Sequence, residues 1–248
     1  VRQRAGIDVA DELVVAREAG PAVVRARLPI GPFGAEPELG LDVDRAGRFC
    51  LGRTQLRCLD VGTPGFVGWV LDGLTGGLDG LSRGDDGDQL VDTTPTTTHP
   101  NGISSIDHVV VRTGDCARTI DAFRSAGLEV RGGRTTTSYG SPMRQTFFWA
   151  GDVIIELVGP DSDPGGAGEP TTDERTSIFG LALVADDLDA TAAFLGDAMG
   201  SPKDAVQQGR RIAGLRVPAP DGGGEIGVTV SIGVATASGT GLALGVLY

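Results

Sequence analysis

The chain has 248 residues and a formal net charge of −12, with a sequence pI near 4.5. That balance excludes a basic nucleic-acid footprint and a polybasic lipid patch, and no run approaches the roughly 18 apolar residues of a membrane span. Forty glycines are well above a norm of about 7%, but they follow no G-X-Y period, so a collagen-like fibre is excluded too. Cys50, Cys58 and Cys116 form no CxxC pair, so neither a disulfide framework nor a zinc finger is expected, and a reducing cytoplasm fits. No basic-then-apolar start marks a signal peptide.

In chain order, residues 1–74 read as a small strand-rich unit. Glu12–Ala16 is apolar enough for a strand or helix, and Ala22–Leu28 for a strand. Leu41–Asp44 and Arg48–Leu51 read as a hairpin, followed by strands over Thr54–Leu59 and Phe66–Leu71, with Trp69 as a packing anchor. Residues 75–100, rich in Gly, Asp and Thr, read as a linker without core.

From Ile106 the pattern is β-α-β-β-β. Ile106–Arg112 is a β-branched strand, and Asp115 caps a helix that ends at Gly127. Strands follow over Leu128–Arg131, Gln145–Trp149 and Val153–Val158. After a Gly/Pro/Asp-rich loop, 159–173, the order begins again. Ile178–Val184 is a strand, Asp187 caps a helix carrying Leu188, Ala192, Leu195 and Met199 to a stop at Gly200, and Asp204–Val206, Arg211–Val217 and Gly227–Ile232 are strands. At one constant offset Ile106 matches Ile178, Val109 matches Leu181, Asp115 matches Asp187 and Thr119 matches Thr191. This is an internal repeat. The expected fold is α+β: tandem βαβββ modules, 103–160 and 176–232, forming one curved mixed sheet within 101–232. The strand-rich unit precedes them, and a Gly-rich tail, 233–248, follows.

Two such units, opening with I-D-H-V-V-V at 106–111 and closing with I-I-E-L-V-G-P at 154–160, resemble the vicinal oxygen chelate superfamily, which holds glyoxalase I, bleomycin-resistance proteins and extradiol dioxygenases. His99-Pro100-Asn101-Gly102, Arg144-Gln145 and the run D-A-V-Q-Q-G-R-R at 204–211 resemble actinobacterial glyoxalase-like proteins. The resemblance implies a metal ligand on the first strand of a module and a carboxylate on its fourth, which here are His108 and Glu156. A divalent ion (Zn, Ni, Mn or Fe) would be its cofactor, a small oxygen-rich molecule its partner, and a homodimer is compatible with it. Glu156 would be ligand or general base, and Arg144, Gln145 and Trp149 would bind substrate.

The residues leave other readings open. His108 could be a hydrogen-bonded core histidine, and Glu156 could pair with an arginine such as Arg144. In the second module the offset sets Gly180 opposite His108 and, without a gap, Val228 opposite Glu156. Neither ligates through a side chain, so a third donor would be Glu225, His99 or a residue of another subunit. The two-His triad of extradiol oxygenation is disfavoured. The functional alternatives are a metal-dependent lyase or isomerase and a metal-free binding or resistance-type protein.

Gly80-Leu81-Ser82-Arg83-Gly84 matches the hydrolase nucleophile elbow, but lacks the strand and helix that motif needs. Gly222, Gly224 and Gly227 match a dinucleotide fingerprint, but a strand-like run follows where a helix is required. Residues 227–235 resemble the end of diguanylate cyclase domains, whose Gly-Gly-Asp-Glu-Phe signature is absent. Cys116 sits at a helix start that would favour a thiolate, although buried structural cysteine is the commoner case.

Overall fold

The computed structural model describes residues 23–27, 40–42, 44, 48–52, 54–57, 65–71, 73–81, 99–137, 142–151, 153–161, 175–205, 209–218 and 225–232. The expected element over Glu12–Ala16, the residue Cys58, most of the 159–173 loop and the tail 233–248 lie outside them.

The first module is β5 (Ile103–Arg112), α1 (Cys116–Ser125), β6 (Val130–Thr136), β7 (Met143–Ala150) and β8 (Val153–Pro160). The second is β9 (Ser177–Ala185), α2 (Leu188–Leu195), β10 (Lys203–Asp204), β11 (Arg211–Pro218) and β12 (Glu225–Ile232). Together they make one eight-stranded mixed sheet, ordered β10-β11-β12-β9-β5-β8-β7-β6. Each module pairs its first and fourth strands in parallel, and β5 and β9 join antiparallel at the centre.

The helices form where the caps allow. Asp115 accepts from the Arg118 backbone N–H at 2.9 Å, and Asp187 accepts from those of Asp189 and Ala190. Gly127 (φ +104°) follows α1 in the left-handed region, as its sequence position suggests. α2 ends sooner than its apolar periodicity implies. Gly196 (φ +54°) breaks it, and residues 196–198 continue as a 3₁₀ turn. Met199 is still buried, so the apolar pattern reports packing rather than helix length.

Strand alternation separates two faces. Val109, Val111, Phe148, Ile155, Leu157, Leu181 and Leu183 form the main core with Ile120 and Phe123 of α1 and Leu188 and Leu195 of α2. Gly159 lets α1 sit close, because a Cβ there would lie 2.6 Å from the Thr113 carbonyl and 2.7 Å from Cys116 Sγ. His108, Gln145, Phe147, Ile154 and Glu156 take the other face, where Phe147 and Ile154 form a separate small cluster.

The N-terminal strands β1 (Val23–Arg27), β2 (Arg48–Leu51), β3 (Thr54–Arg57) and β4 (Gly65–Val70) form a second sheet, ordered β2-β3-β1-β4. Arg48–Leu51 pairs with Thr54–Arg57, and of the expected hairpin with Leu41–Asp44 the described residues show the Asp44 N–H donating to the Arg48 carbonyl at 2.8 Å. β1 runs parallel to β3 and antiparallel to β4, and β2 is antiparallel to β3. The same relations link β5 with β8, β5 with β9, and β7 with β8. The N-terminal unit thus repeats the module pattern in shortened form. Its Phe49, Leu51, Leu56 and Trp69 belong to the main core, and Trp69 is 6.3 Å from Phe123 between ring centroids.

The expectation that residues 75–100 add nothing to the core fails where they are described. Leu78 and Leu81 are buried. Between them Asp79 (φ +52°) accepts hydrogen bonds from Arg118 at 2.8 Å, from Thr119 at 2.5 Å, and from Thr176. Burial alone would raise its pKa, yet these donors hold it below the ordinary value. The Gly-rich composition shows backbone freedom but not this long-range anchor. Asp79→Asn keeps the left-handed backbone tolerable and removes the charge. It should lower stability by about 1–3 kcal/mol in urea unfolding, with the coincident loss of β4 and β5 signals expected of one shared core.

Candidate functional site

His108 and Glu156 come together because β5 and β8 are parallel neighbours and both residues fall on the face away from the helices. His108 Nε2 lies 3.2 Å from Glu156 Oε2, and both side chains are almost fully buried. Neither atom has a hydrogen-bond partner.

Four other side chains surround the pair. Asp107 Oδ2 lies 2.8 Å from His108 Nδ1. A carboxylate accepts, so Nδ1 carries the proton and the Nε2 lone pair faces Glu156. Gln145 donates its Nε2 proton to Glu156 Oε1 at 2.8 Å and accepts at Oε1 from Arg134 Nε at 2.5 Å. On the other side, Arg210 Nη1 approaches Asp107 Oδ1 at 3.5 Å. The result is one polar path: Arg210, Asp107, His108, Glu156, Gln145, Arg134.

Asp107 and His108 are adjacent in a strand, yet they touch. The β5–β9 register slips between Ile106 and His108. This bulge breaks the alternation and brings the carboxylate beside the ring. Burial raises the Glu156 pKa to about 7, against the pull of His108 and Arg134.

The Nε2–Oε2 geometry suits a shared proton or a metal ion. A lone pair facing a carboxylate at 3.2 Å is repulsive unless a proton or metal lies between. Two donors bound at about 2.0–2.2 Å to one ion in tetrahedral or octahedral geometry are themselves about 3 Å apart. The carboxylate on Nδ1 is the usual support for a metal-binding imidazole. The described residues therefore fit a divalent metal with two protein donors. Among the described residues no group of three His, Cys, Asp or Glu side chains is placed to hold one ion.

The other sequence-derived candidates are placed as follows. His99 accepts from the Asp42 N–H at Nδ1 (2.9 Å) and donates from Nε2 to the Cys50 carbonyl (2.8 Å), so both nitrogens are engaged and it is no ligand. Gly180 pairs with Val110 and Gly227 and so shares the site's face. The link from first to fourth strand is one residue longer in the second module. Thr229, not Val228, therefore stands at the register position of Glu156. Glu225 opens β12 opposite Pro218, four residues before Thr229 or about 13 Å along the strand. The side chains of Thr229 and Glu225 lie outside the described residues.

Gln145 is in the site, but Arg144 is not. Successive strand residues alternate, and Arg144 is exposed on the helix face, where its charge acts on Cys116. The arginine nearest Glu156 on the path is Arg134, through Gln145. Trp149 ends the Gln145–Phe147 row of β7, cross-strand from Ile154, and is 44% exposed. Burial pushes the Cys116 thiol up to about 11, so it is no nucleophile. Gly227 lies inside β12, which removes the helix a dinucleotide fingerprint requires.

Sequence reasoning missed Asp107, Arg134 and Arg210. Asp107 had a visible signal as a carboxylate beside His108, but only the bulge makes it useful.

The chain has the fold of the vicinal oxygen chelate superfamily, with two βαβββ modules in one sheet. No family model and no curated protein matches the sequence. Among solved structures, a triple variant of 4-hydroxymandelate synthase from Streptomyces coelicolor is similar over 94% of this chain and 90% of its own, at TM-score 0.51 and 14% identity. A variant of Streptomyces coelicolor methylmalonyl-CoA epimerase in complex with 2-nitronate-propionyl-CoA matches 52% of this chain and 97% of its own, at TM-score 0.38 and 21% identity. The methylmalonyl-CoA epimerase of Mycobacterium tuberculosis matches 56% of this chain and 92% of its own, at TM-score 0.40 and 16% identity.

Proposed function

We propose that the chain is a metal-dependent, glyoxalase-like lyase or isomerase that binds a small oxygen-rich molecule at the His108–Glu156 pair. The observation that carries this reading is the pair of buried, unpartnered atoms His108 Nε2 and Glu156 Oε2, 3.2 Å apart. His108 and Glu156 would hold the ion, Zn, Ni, Mn or Fe. It would supply Lewis-acid polarisation of a substrate oxygen when bound. Asp107 keeps the His108 proton on Nδ1 and so keeps Nε2 free as a donor. Gln145 holds the Glu156 carboxyl in plane, and Arg134 fixes the amide's orientation. Trp149, exposed beside the site, offers an apolar surface to the body of the ligand.

The buried free cysteines Cys50 and Cys116 suit a reducing cytoplasm. Among the described residues no helix is long and apolar enough to cross a membrane.

One observation favours the alternative, a metal-free binding protein. Gly180 and Thr229 stand where the second module would supply ligands, and among the described residues the protein donors number two. Equilibrium dialysis against Zn, Ni, Mn and Fe separates the readings. About one bound equivalent of at least one metal is expected, and protein that retains none overturns the enzyme reading.

A further inference from the structure

We propose that the site selects an anion, a small carboxylate or phosphonate, and that Arg210 is the residue that receives it. The proposal rests on the reading of the His108–Glu156 pair as the ligand site and adds the charge class of the ligand.

Among the described residues five buried side-chain atoms have no hydrogen-bond partner. Two, Gln55 Nε2 and Trp69 Nε1, lie in the N-terminal sheet. The other three, His108 Nε2, Glu156 Oε2 and Arg210 Nη1, lie on one polar path. Two of these can bind a cation, and the third is a cationic donor. A bound metal with an anionic oxygen ligand is the complement of that set. An unpaired buried guanidinium N–H is costly to leave so, and a carboxylate or phosphonate satisfies it with a charge-assisted bond.

Arg210 comes from the other half of the sheet. It directly precedes β11, and β12 and β9 lie between that strand and β5, which carries Asp107. Its side chain is 15% exposed. The second module offers Gly180 where the first has His108, yet it contributes this guanidinium. Its ion pair with Asp107 at 3.5 Å is longer than an ordinary hydrogen bond, so Nη1 keeps unused donor capacity. Charge points the same way. The path holds two guanidinium groups and two carboxylates, so a divalent ion makes it net positive within a chain of net charge −12. A local positive site in an acidic protein discriminates by charge.

The test is calorimetric titration of the full chain, metal-loaded and chelator-treated, with lactate, pyruvate and methylphosphonate. Lactamide, pyruvamide and dimethyl methylphosphonate serve as the neutral counterparts. At least one anion should bind about tenfold or more tightly than its neutral counterpart, equivalent to about 1.4 kcal/mol. Whether it is a carboxylate or the phosphonate identifies the acid. In Arg210→Gln that ratio should fall to about one, with metal content unchanged. Arg210→Lys should retain part of it, and serves if the Gln variant does not fold. A wild-type ratio near one, no anion binding, a ratio preserved in Arg210→Gln, or equal loss for charged and neutral ligands each overturns the proposal. An Arg210-dependent preference in a protein that retains no metal overturns the metal reading and leaves this one standing. Metal retention without the preference does the reverse.

Discussion

Stripped of metal and held at pH 8, the Glu156→Gln variant should be more stable than the wild type by about 3 kcal/mol. The carboxyl titrates near 4.5 when unfolded and at about 7 when buried in the site. Between those values the folded state binds the extra proton, so the wild type loses stability as pH rises from about 4.5 to about 7. Below that window the contribution is fully present, and above it the loss is complete. Glutamine mimics the protonated acid and does not ionise, so the variant lacks this slope. Asp79 cannot imitate the effect. Its folded pKa is lowered, so its contribution is lost as pH falls below the ordinary 3.8, outside the window and with opposite sign. Urea unfolding of both proteins from pH 4 to pH 8, with chelator present, reads the difference. Parallel profiles would show that Glu156 is not held in a raised-pKa site. A bound metal should cancel the wild-type loss, because a cation on Oε2 stabilises the ionised form that burial penalises.

His108→Ala and Glu156→Ala should each lower metal affinity at least about 100-fold. The proposed site has two protein donors among the described residues, and removing either leaves one buried donor and a cavity. Asp107→Asn should cost about 10–100-fold, the usual effect of losing the support of a metal-bound imidazole, because the amide no longer holds the His108 proton on Nδ1 as firmly. Two protein donors also leave most coordination positions to water or ligand oxygens. Metal affinity should therefore rise when a bidentate oxygen ligand such as oxalate is present. Competition against a chromophoric chelator measures all four effects. Equal affinity in wild type and both alanine variants would place the ion elsewhere.

Much of the second sheet was legible because local chemistry and periodicity agree there. Asp115 and Asp187 cap their helices, and Gly127 stops the first as its position implies. The continuous β-branched run 106–112 is a central strand, and the offset between modules survives in the pairing of β5 with β9. His108 and Glu156 were legible as a pair through the resemblance, and the parallel pairing of β5 with β8 is what brings them together. What was hidden is long-range or irregular. A bulge at Asp107 breaks the alternation from which faces are read. One extra residue in the second module moves the Glu156 equivalent from Val228 to Thr229. Arg134 and Arg210 reach the site from positions 11 and 103 residues distant from their partners Gln145 and Asp107, and nothing local marks them. Asp79 sits in a Gly-rich stretch whose composition is that of a linker, while three side chains remote in sequence hold it.

One cation is expected between two particular atoms, His108 Nε2 and Glu156 Oε2. Crystals of the metal-loaded chain, measured on either side of the metal's absorption edge, test it most directly. A single anomalous peak is expected about 2.0–2.2 Å from both His108 Nε2 and Glu156 Oε2, with Asp107 still on Nδ1. A protein that has bound metal but shows the peak at other residues, or shows Nε2 and Oε2 joined by a proton alone, would contradict it.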